Sequence, residues 1–142
     1  MYSKIFFAAL YAIFVMVSSG MAAPARAENL YCKIVTVNEV SVDGKPYRLT
    51  GRENIRKEAE GSEFTIDKAT GLMLGKHVEN GNDHWNTTVL DRGGAQMSYK
   101  AFSQNKRGYT FAQYVEVRLW HPGPRKPFVL LDNEILTGYC TL

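Results

Sequence analysis

The chain has 142 residues, of which 45% are hydrophobic and 22% charged, and its formal net charge is +3. This length favours a single domain, and the ordinary globular composition excludes wholesale disorder and collagen-like repeats. Two cysteines are too few for a disulfide-dense miniprotein or for a zinc site with four cysteine ligands. The composition therefore indicates one small globular domain.

Residues 1–27 predict a secretory signal peptide that is cleaved. Lys4 gives a positive start, an apolar run follows from Ile5 to Val17, and Pro24 to Ala27 supply the small residues of a cleavage site. The apolar run is shorter than the roughly 20 residues that cross a bilayer as a helix. We therefore expect cleavage before Glu28 and a periplasmic or secreted protein.

The remaining chain, residues 28–142, is predicted to be a single and nearly neutral domain. The signal contains Lys4 and Arg26 and no acid, so 15 basic and 14 acidic residues remain after its removal. The basic residues alternate with acids, whereas nucleic-acid-binding proteins usually have a concentrated basic patch. We expect no nucleic-acid partner, and no membrane-spanning segment once the signal is removed.

The two cysteines lie near the two ends of this domain. Cys32 is its fifth residue and Cys140 is third from the end of the chain. In an exported protein an even pair normally forms a disulfide. The chain has no Cys-x-x-Cys redox pair, and the bulky Tyr31 disfavours lipid attachment to Cys32. A structural disulfide between Cys32 and Cys140 is therefore predicted.

Alternation of apolar and polar residues predicts a series of short strands. The clearest case is Phe111 to Leu119, where apolar side chains share one face and Glu116 and Arg118 share the other. The other predicted strands are Tyr31–Val37, Tyr47–Thr50, Phe64–Ile66, Leu72–Leu74, Asn86–Leu90, Met97–Ala101, Phe128–Leu131 and Ile135–Cys140.

Turn-forming residues separate these strands. Asp43-Gly44 predicts a hairpin, and the segment from Asp67 to Gly71 predicts a longer hairpin loop. Further joins are expected at Asp91–Gly94, Asn105–Gly108 and Asp132–Asn133. The spacing indicates an all-β domain: a small antiparallel β-barrel or β-sandwich of seven to nine short strands, with its termini joined by the disulfide.

Residues 52–60 depart from the strand pattern because they are charged and rich in helix formers. Ile55 and Ala59 provide one apolar contact at helical spacing. The segment is compatible with a short surface helix or with a mobile charged loop.

The segment from Trp120 to Pro127 is the most distinctive candidate for binding. Its three prolines stiffen it, which lowers the entropic cost of presenting side chains to a partner. Tryptophan and arginine are favoured anchors at protein interfaces. The alternative is a rigid connection that keeps two strands in register. The predicted binding residues are Trp120, His121, Arg125, Lys126 and Trp85.

Metal-binding and catalytic signals are weak. The histidines are His77, His84 and His121. Their spacing, with Asp83 as a further ligand, matches no metal motif, so we expect no metal and no other cofactor. Asp67 with Glu79 or Asp83 is not fixed in one cavity by spacing, and the nucleophile elbow, phosphate loop and zinc-protease helix are missing. No catalytic residue is predicted, while Asn86 begins an N-glycosylation sequon.

Together these features favour an exported, non-enzymatic binding protein. It would contact another protein or a cell-envelope macromolecule through loops of a disulfide-stabilised β scaffold. One alternative is a small barrel that carries an apolar ligand in its interior. The other is a small hydrolytic enzyme.

Overall fold

The computed structural model describes residues 28–41, 43–48, 53–107 and 111–142. The predicted signal peptide lies outside these residues, as do Arg52 and the last two residues of the predicted strand Tyr47–Thr50. The described part of the chain forms β1 (Asn29–Val40), β2 (Pro46–Tyr47), α1 (Glu53–Ala59), β3 (Glu63–Asp67), β4 (Met73–Gly75), β5 (Trp85–Gly94), β6 (Met97–Asn105), β7 (Ala112–Val117), β8 (Lys126–Leu131) and β9 (Ile135–Thr141).

The nine strands form one antiparallel sheet that curls into a half-barrel. The strand order is β4-β3-β1-β9-β8-β7-β6-β5, and β2 pairs with the end of β1. The first and last long strands, β1 and β9, are therefore neighbours within the sheet. The prediction of an all-β domain is confirmed, and the single curled sheet is barrel-like rather than a sandwich of two sheets.

The core fills the inside of the curl, because alternate side chains of each strand point inward. In β7 the side chains of Gln113, Val115 and Val117 are buried, while the intervening residues are half-buried on the outer face. The largest fully buried side chains include Tyr99, Leu30, Ile34, Ile66, Met73 and Leu130. The alternation that predicted the strands therefore also predicts which face packs.

The predicted disulfide is confirmed. Cys32 in β1 and Cys140 in β9 are directly opposite each other in the ladder, with their Cα atoms 3.9 Å apart. Both side chains are buried, at 2% and 0% exposure. The bond therefore crosslinks the first and last strands on the core side of the sheet.

A buried asparagine connects the two ends of the strand order, where β4 and β5 lie. Asn80 Oδ1 accepts a hydrogen bond from Met73 N in β4 at 2.5 Å, and its Nδ2 donates to Gly71 O at 3.0 Å. Nδ2 also lies 2.7 Å from Ser103 Oγ in β6 and 3.3 Å from Thr87 Oγ1 in β5. Side-chain hydrogen bonds thus bridge the seam of the half-barrel.

Most predicted turns are present. Ser41 and Gly44 close the hairpin between β1 and β2 through a backbone hydrogen bond of 2.8 Å. Between β3 and β4, Asp67 Oδ1 accepts from Ala69 N at 2.8 Å, and Gly71 adopts a φ of +77° that favours glycine. The turn at Asp132 lies between β8 and β9 as expected.

One predicted turn is wrong. β5 continues through Asp91–Gly94, and the chain reverses at Ala95 and Gln96 instead. The register shifts between Val89 and Asp91, and Gly93 has a φ of +68°. The chain therefore continues as a strand with a bulge at Val89–Asp91, and of the two glycines that follow only Gly93 has a positive φ.

The charged segment at 52–60 is a helix. It runs from Glu53 to Ala59, and Ala59 is 6% exposed at its end. The chain after it joins β1, since Gly61 N donates to Ile34 O at 2.8 Å and Ile34 N donates to Ser62 O at 3.0 Å. Across the described ranges, no helix is long and apolar enough to cross a membrane.

Candidate binding surface

The loop between β7 and β8, residues 118–125, is held at its base by several hydrogen bonds. Arg118 N donates to Pro127 O at 2.9 Å, and His121 N donates to Arg118 O at 3.0 Å. Lys126 Nζ donates to His121 O at 2.6 Å. These contacts and its two internal prolines reduce the conformational freedom of the loop.

Trp120 projects from this loop into solvent. Its side chain is 48% exposed, whereas the preceding Leu119 is 9% exposed and belongs to the core. The Trp120 ring lies 6.3 Å from the His121 ring in a tilted arrangement. A buried leucine therefore anchors the loop directly beside an exposed aromatic ring.

Arg125 connects this loop to the outer face of the sheet. Its guanidinium lies 4.6 Å from the centre of the Tyr139 ring in β9, a distance that allows a cation–π contact. Tyr139 is opposite Pro127 in the β8–β9 ladder, next to the end of the loop. The loop and the outer face at Tyr139 therefore form a continuous surface.

A groove of about 420 Å³ lies on this outer face, and we call it the outer groove. Its lining includes Tyr31 and Lys33 of β1, Glu63 and Thr65 of β3, and Tyr139 and Thr141 of β9. Leu74 of β4, 48% exposed, also lines it. The groove thus combines two phenol rings, an aliphatic side chain, two hydroxyls and a pair of opposite charges.

The structure brings together four of the five predicted binding residues. Trp120, His121 and Arg125 lie in the loop, and Lys126 begins β8 with its ammonium group bound back to the loop. Trp85 is elsewhere. Trp85 pairs with Asn105 at one end of β6. Near the other end, about 20 Å along the strand, Tyr99 pairs with Val117, the residue before the loop.

The other titratable candidates are dispersed or have structural contacts. His84 Nδ1 lies 3.1 Å from Asp83 Oδ1 on an exposed loop. Asp67 accepts backbone hydrogen bonds in the β3–β4 turn, as its position in the sequence predicted. No group of three or more His, Cys, Asp or Glu side chains that could hold a metal occurs within the described residues.

Sequence reasoning missed the outer groove. Tyr31 and Tyr139 occupy outward positions of predicted strands, which is a visible signal for each residue alone. Their proximity depends on the β1–β9 register, in which Tyr31 is opposite Thr141 and Lys33 is opposite Tyr139. The predicted Cys32–Cys140 disulfide brings these two segments near each other, but the register between β1 and β9 decides which side chains meet.

Compared with known proteins, the chain matches no family model, no curated protein and no solved structure. Its function is therefore inferred from its own surface.

Proposed function

We propose that this protein is an exported, non-enzymatic binding protein that contacts a partner protein or cell-envelope macromolecule through the loop 118–125. The observation that carries this proposal is the exposed Trp120, 48% exposed on a loop held by hydrogen bonds at its base. Export is supported by the buried Cys32–Cys140 disulfide, which is consistent with an oxidising compartment.

The physical basis of the proposal is preorganisation. Binding normally costs the entropy of ordering side chains and loops at the interface. Here the hydrogen bond from Lys126 to His121 and the Arg125–Tyr139 contact already order the loop before a partner arrives. A partner that covers the Trp120 ring would gain apolar contact at a reduced entropic cost.

Site-specific photo-crosslinking in the source cells tests this proposal. A benzophenone amino acid replaces Trp120 in one variant and Leu131 in another, because Leu131 is 41% exposed and ends β8 on the side opposite to the loop. We expect a discrete adduct after irradiation from position 120, and a weaker or absent one from position 131. Equal adducts from both positions, or none from position 120 in a folded protein, would contradict it.

Export has its own measurement. Intact mass analysis of the protein from the source cells reports where the chain begins and whether the cysteines are oxidised. We expect a chain that starts at Glu28 and is two hydrogens lighter than its reduced form. A full-length reduced chain would contradict export.

The apolar-carrier alternative has less support. Leu30, Ile34 and Leu130, whose side chains point into the curl, are at most 1% exposed and belong to one buried hydrophobic cluster. A carrier uses such inward positions to line space for a ligand. No observation favours the hydrolase alternative, because Asp67, Glu79 and Asp83 lie neither in the loop nor in the lining of the outer groove.

A further inference from the structure

We propose that the outer groove binds an uncharged saccharide chain, so that the partner of this surface is a glycan. This inference rests on the proposed function, since it names the partner class for the surface that the loop 118–125 borders. It is carried by the side chains of the groove, their charge balance and the rigidity of the sheet beneath them.

Two tyrosine rings supply the apolar contacts that a sugar ring needs. Tyr31 is 57% exposed, and Tyr139 lies on the neighbouring strand one diagonal step away, where Cβ atoms are about 7–8 Å apart or less. One face of a pyranose ring presents C–H groups, which pack against an aromatic surface. Tyrosine provides that surface with few rotatable bonds and carries a hydroxyl at the ring edge.

Polar groups around the rings match the hydroxyls of a sugar. The side chains of Thr65 and Thr141 face the groove from either side of Tyr31. Thr141 Oγ1 lies 3.5 Å from Tyr31 O, a long contact that leaves its oxygen available to accept a hydrogen bond. Because a sugar hydroxyl both donates and accepts, hydroxyl side chains suit it in either role.

The charges in the groove favour a ligand without net charge. Lys33 Nζ lies 3.8 Å from Glu63 Oε1, and the two side chains are 43% and 75% exposed. Their charges offset each other, so neither an anion nor a cation gains much on entering. The guanidinium of Arg125, which does not line the groove, covers one face of the Tyr139 ring and leaves a positive charge at the edge of the groove. The pair still offers three donors and a carboxylate acceptor to ligand hydroxyls.

The strands that form the floor of the groove, β3, β1 and β9, are each paired on both sides and offer no free backbone to a peptide strand. At its rim lies the end strand β4, where the backbone N–H and carbonyl of Met73 are both hydrogen-bonded to Asn80. β1 already pairs with β3 on one side and β9 on the other, and the Cys32–Cys140 bond lies in this ladder. Peptides that recognise sheets usually add to a free edge strand. An apolar ligand would remain partly in water, because the lining side chains Tyr31 and Leu74 are about half exposed. A saccharide needs no free strand edge and can remain partly in water, so it suits this groove better than a peptide strand or an apolar ligand.

An NMR titration of the purified, disulfide-bonded protein tests the inference. The probes are chitotetraose and cellotetraose, with tetra-alanine as a neutral peptide of similar size. We expect saturable shifts of the backbone amides of Tyr31, Lys33, Tyr139 and Thr141 with at least one saccharide, at concentrations up to about 10 mM. Tetra-alanine should leave these amides unchanged.

Matched tyrosine variants identify the groove as the site. Tyr31→Ala should weaken saccharide binding about tenfold or more, whereas Tyr31→Trp should retain it because the larger ring still stacks. Tyr47→Ala is the control, because Tyr47 is 42% exposed on β2 and does not line the groove. The melting temperature of each variant shows whether it is folded.

Three results would overturn the inference: no saturable shift with either saccharide, unchanged affinity in folded Tyr31→Ala, or tetra-alanine binding as tightly as the saccharides. A position-120 adduct with a protein, together with no saccharide binding, would leave the proposed function standing and remove only this inference. Saccharide binding without any position-120 adduct would instead remove the loop as the contact.

Discussion

At the residue scale, Tyr99 is a large side chain in the core with an unusual hydroxyl. It is 0% exposed, and no group in the described part of the chain hydrogen bonds to its buried oxygen. Burial, with a smaller effect from the negative charge of Asp67, raises the pKa of Tyr99 to about 12. The ring therefore packs as a neutral phenol at ordinary pH.

Tyr99→Phe should leave the free energy of unfolding at pH 7 unchanged or raise it by about 1 kcal/mol, because it removes a buried hydroxyl without a partner. The variant should differ more at alkaline pH. The folded pKa of Tyr99 lies above its unfolded value, so its stabilising contribution is present below about pH 10 and is lost as the pH rises towards about 12. The Tyr99→Phe variant has no hydroxyl to ionise, so its free energy of unfolding should not show this fall at alkaline pH.

Urea unfolding of both proteins at pH 7 and at about pH 11 measures the difference, because all other tyrosines titrate equally in the two. A Phe variant clearly less stable than the wild type at pH 7 would show that the hydroxyl is hydrogen-bonded after all.

The side chain of Asn80 makes hydrogen bonds to both sides of the seam between β4 and β5. Asn80→Ala should lower the free energy of unfolding by about 3 kcal/mol, because Met73 N and Gly71 O lose buried partners. Asn54→Ala is the control, since Asn54 is exposed on α1 and its loss should change stability by less than about 0.5 kcal/mol. Chemical denaturation compares the two, and equal small effects would mean that the seam does not depend on Asn80.

At the element scale, the β1–β9 and β8–β9 ladders meet at a glycine. Gly138 is opposite Ile34 in β1 and Phe128 in β8. A Cβ atom there would collide with the carbonyl oxygen of Lys33 and lie 2.8 Å from Phe128 Cε1. Close backbone approach therefore explains this glycine, next to the register shift between Ile34 and Thr36 in β1.

Gly138→Ala should destabilise the protein by about 3 kcal/mol or more, because a backbone atom cannot move aside as a side chain does. Gly94→Ala in β5 provides the control, since a Cβ there meets nothing within 4 Å and its φ is not positive. Thermal unfolding should show a much lower melting temperature for the first variant only. A similar small shift for both would show that the ladders can separate at little cost.

At the scale of the whole molecule, the disulfide restrains nearly the full length of the domain. Cys32 and Cys140 are 108 residues apart in sequence. In the chain-entropy account, a bond that closes so long a loop stabilises the folded state by restricting the unfolded chain. The disulfide joins two strands that are already paired by backbone hydrogen bonds, so it stabilises this pairing and does not change the strand order.

The double variant Cys32→Ala, Cys140→Ala should lose about 3–5 kcal/mol of unfolding free energy, mostly through a less restricted unfolded chain. Reduction of the wild-type protein should produce a loss of the same order, and the reductant should have no effect on the double variant. Urea unfolding with and without reductant measures both. Unchanged stability after complete reduction would contradict this account.

Local sequence patterns were sufficient to predict most of the individual strands and turns. Alternation predicted strands at Met97–Ala101 and Phe128–Leu131, and Asp67 and Gly71 marked the turn between β3 and β4, because side-chain periodicity and turn chemistry act over a few residues. The sequence also predicted the disulfide, because two cysteines permit one intramolecular pair. The same local signal failed at Asp91–Gly94, because a glycine with a positive φ lies within a strand there, as one often does in a turn.

The contacts between residues far apart in sequence could be known only from the folded chain. Whether the strands form a barrel or a sandwich, whether Asn80 spans the seam, and whether Tyr31 lies beside Tyr139 all depend on strand order and register. Hydrogen bonds between strands join residues far apart in sequence, so no local pattern encodes these pairings. The outer groove, and the separation of Trp85 from Trp120, arise at this level.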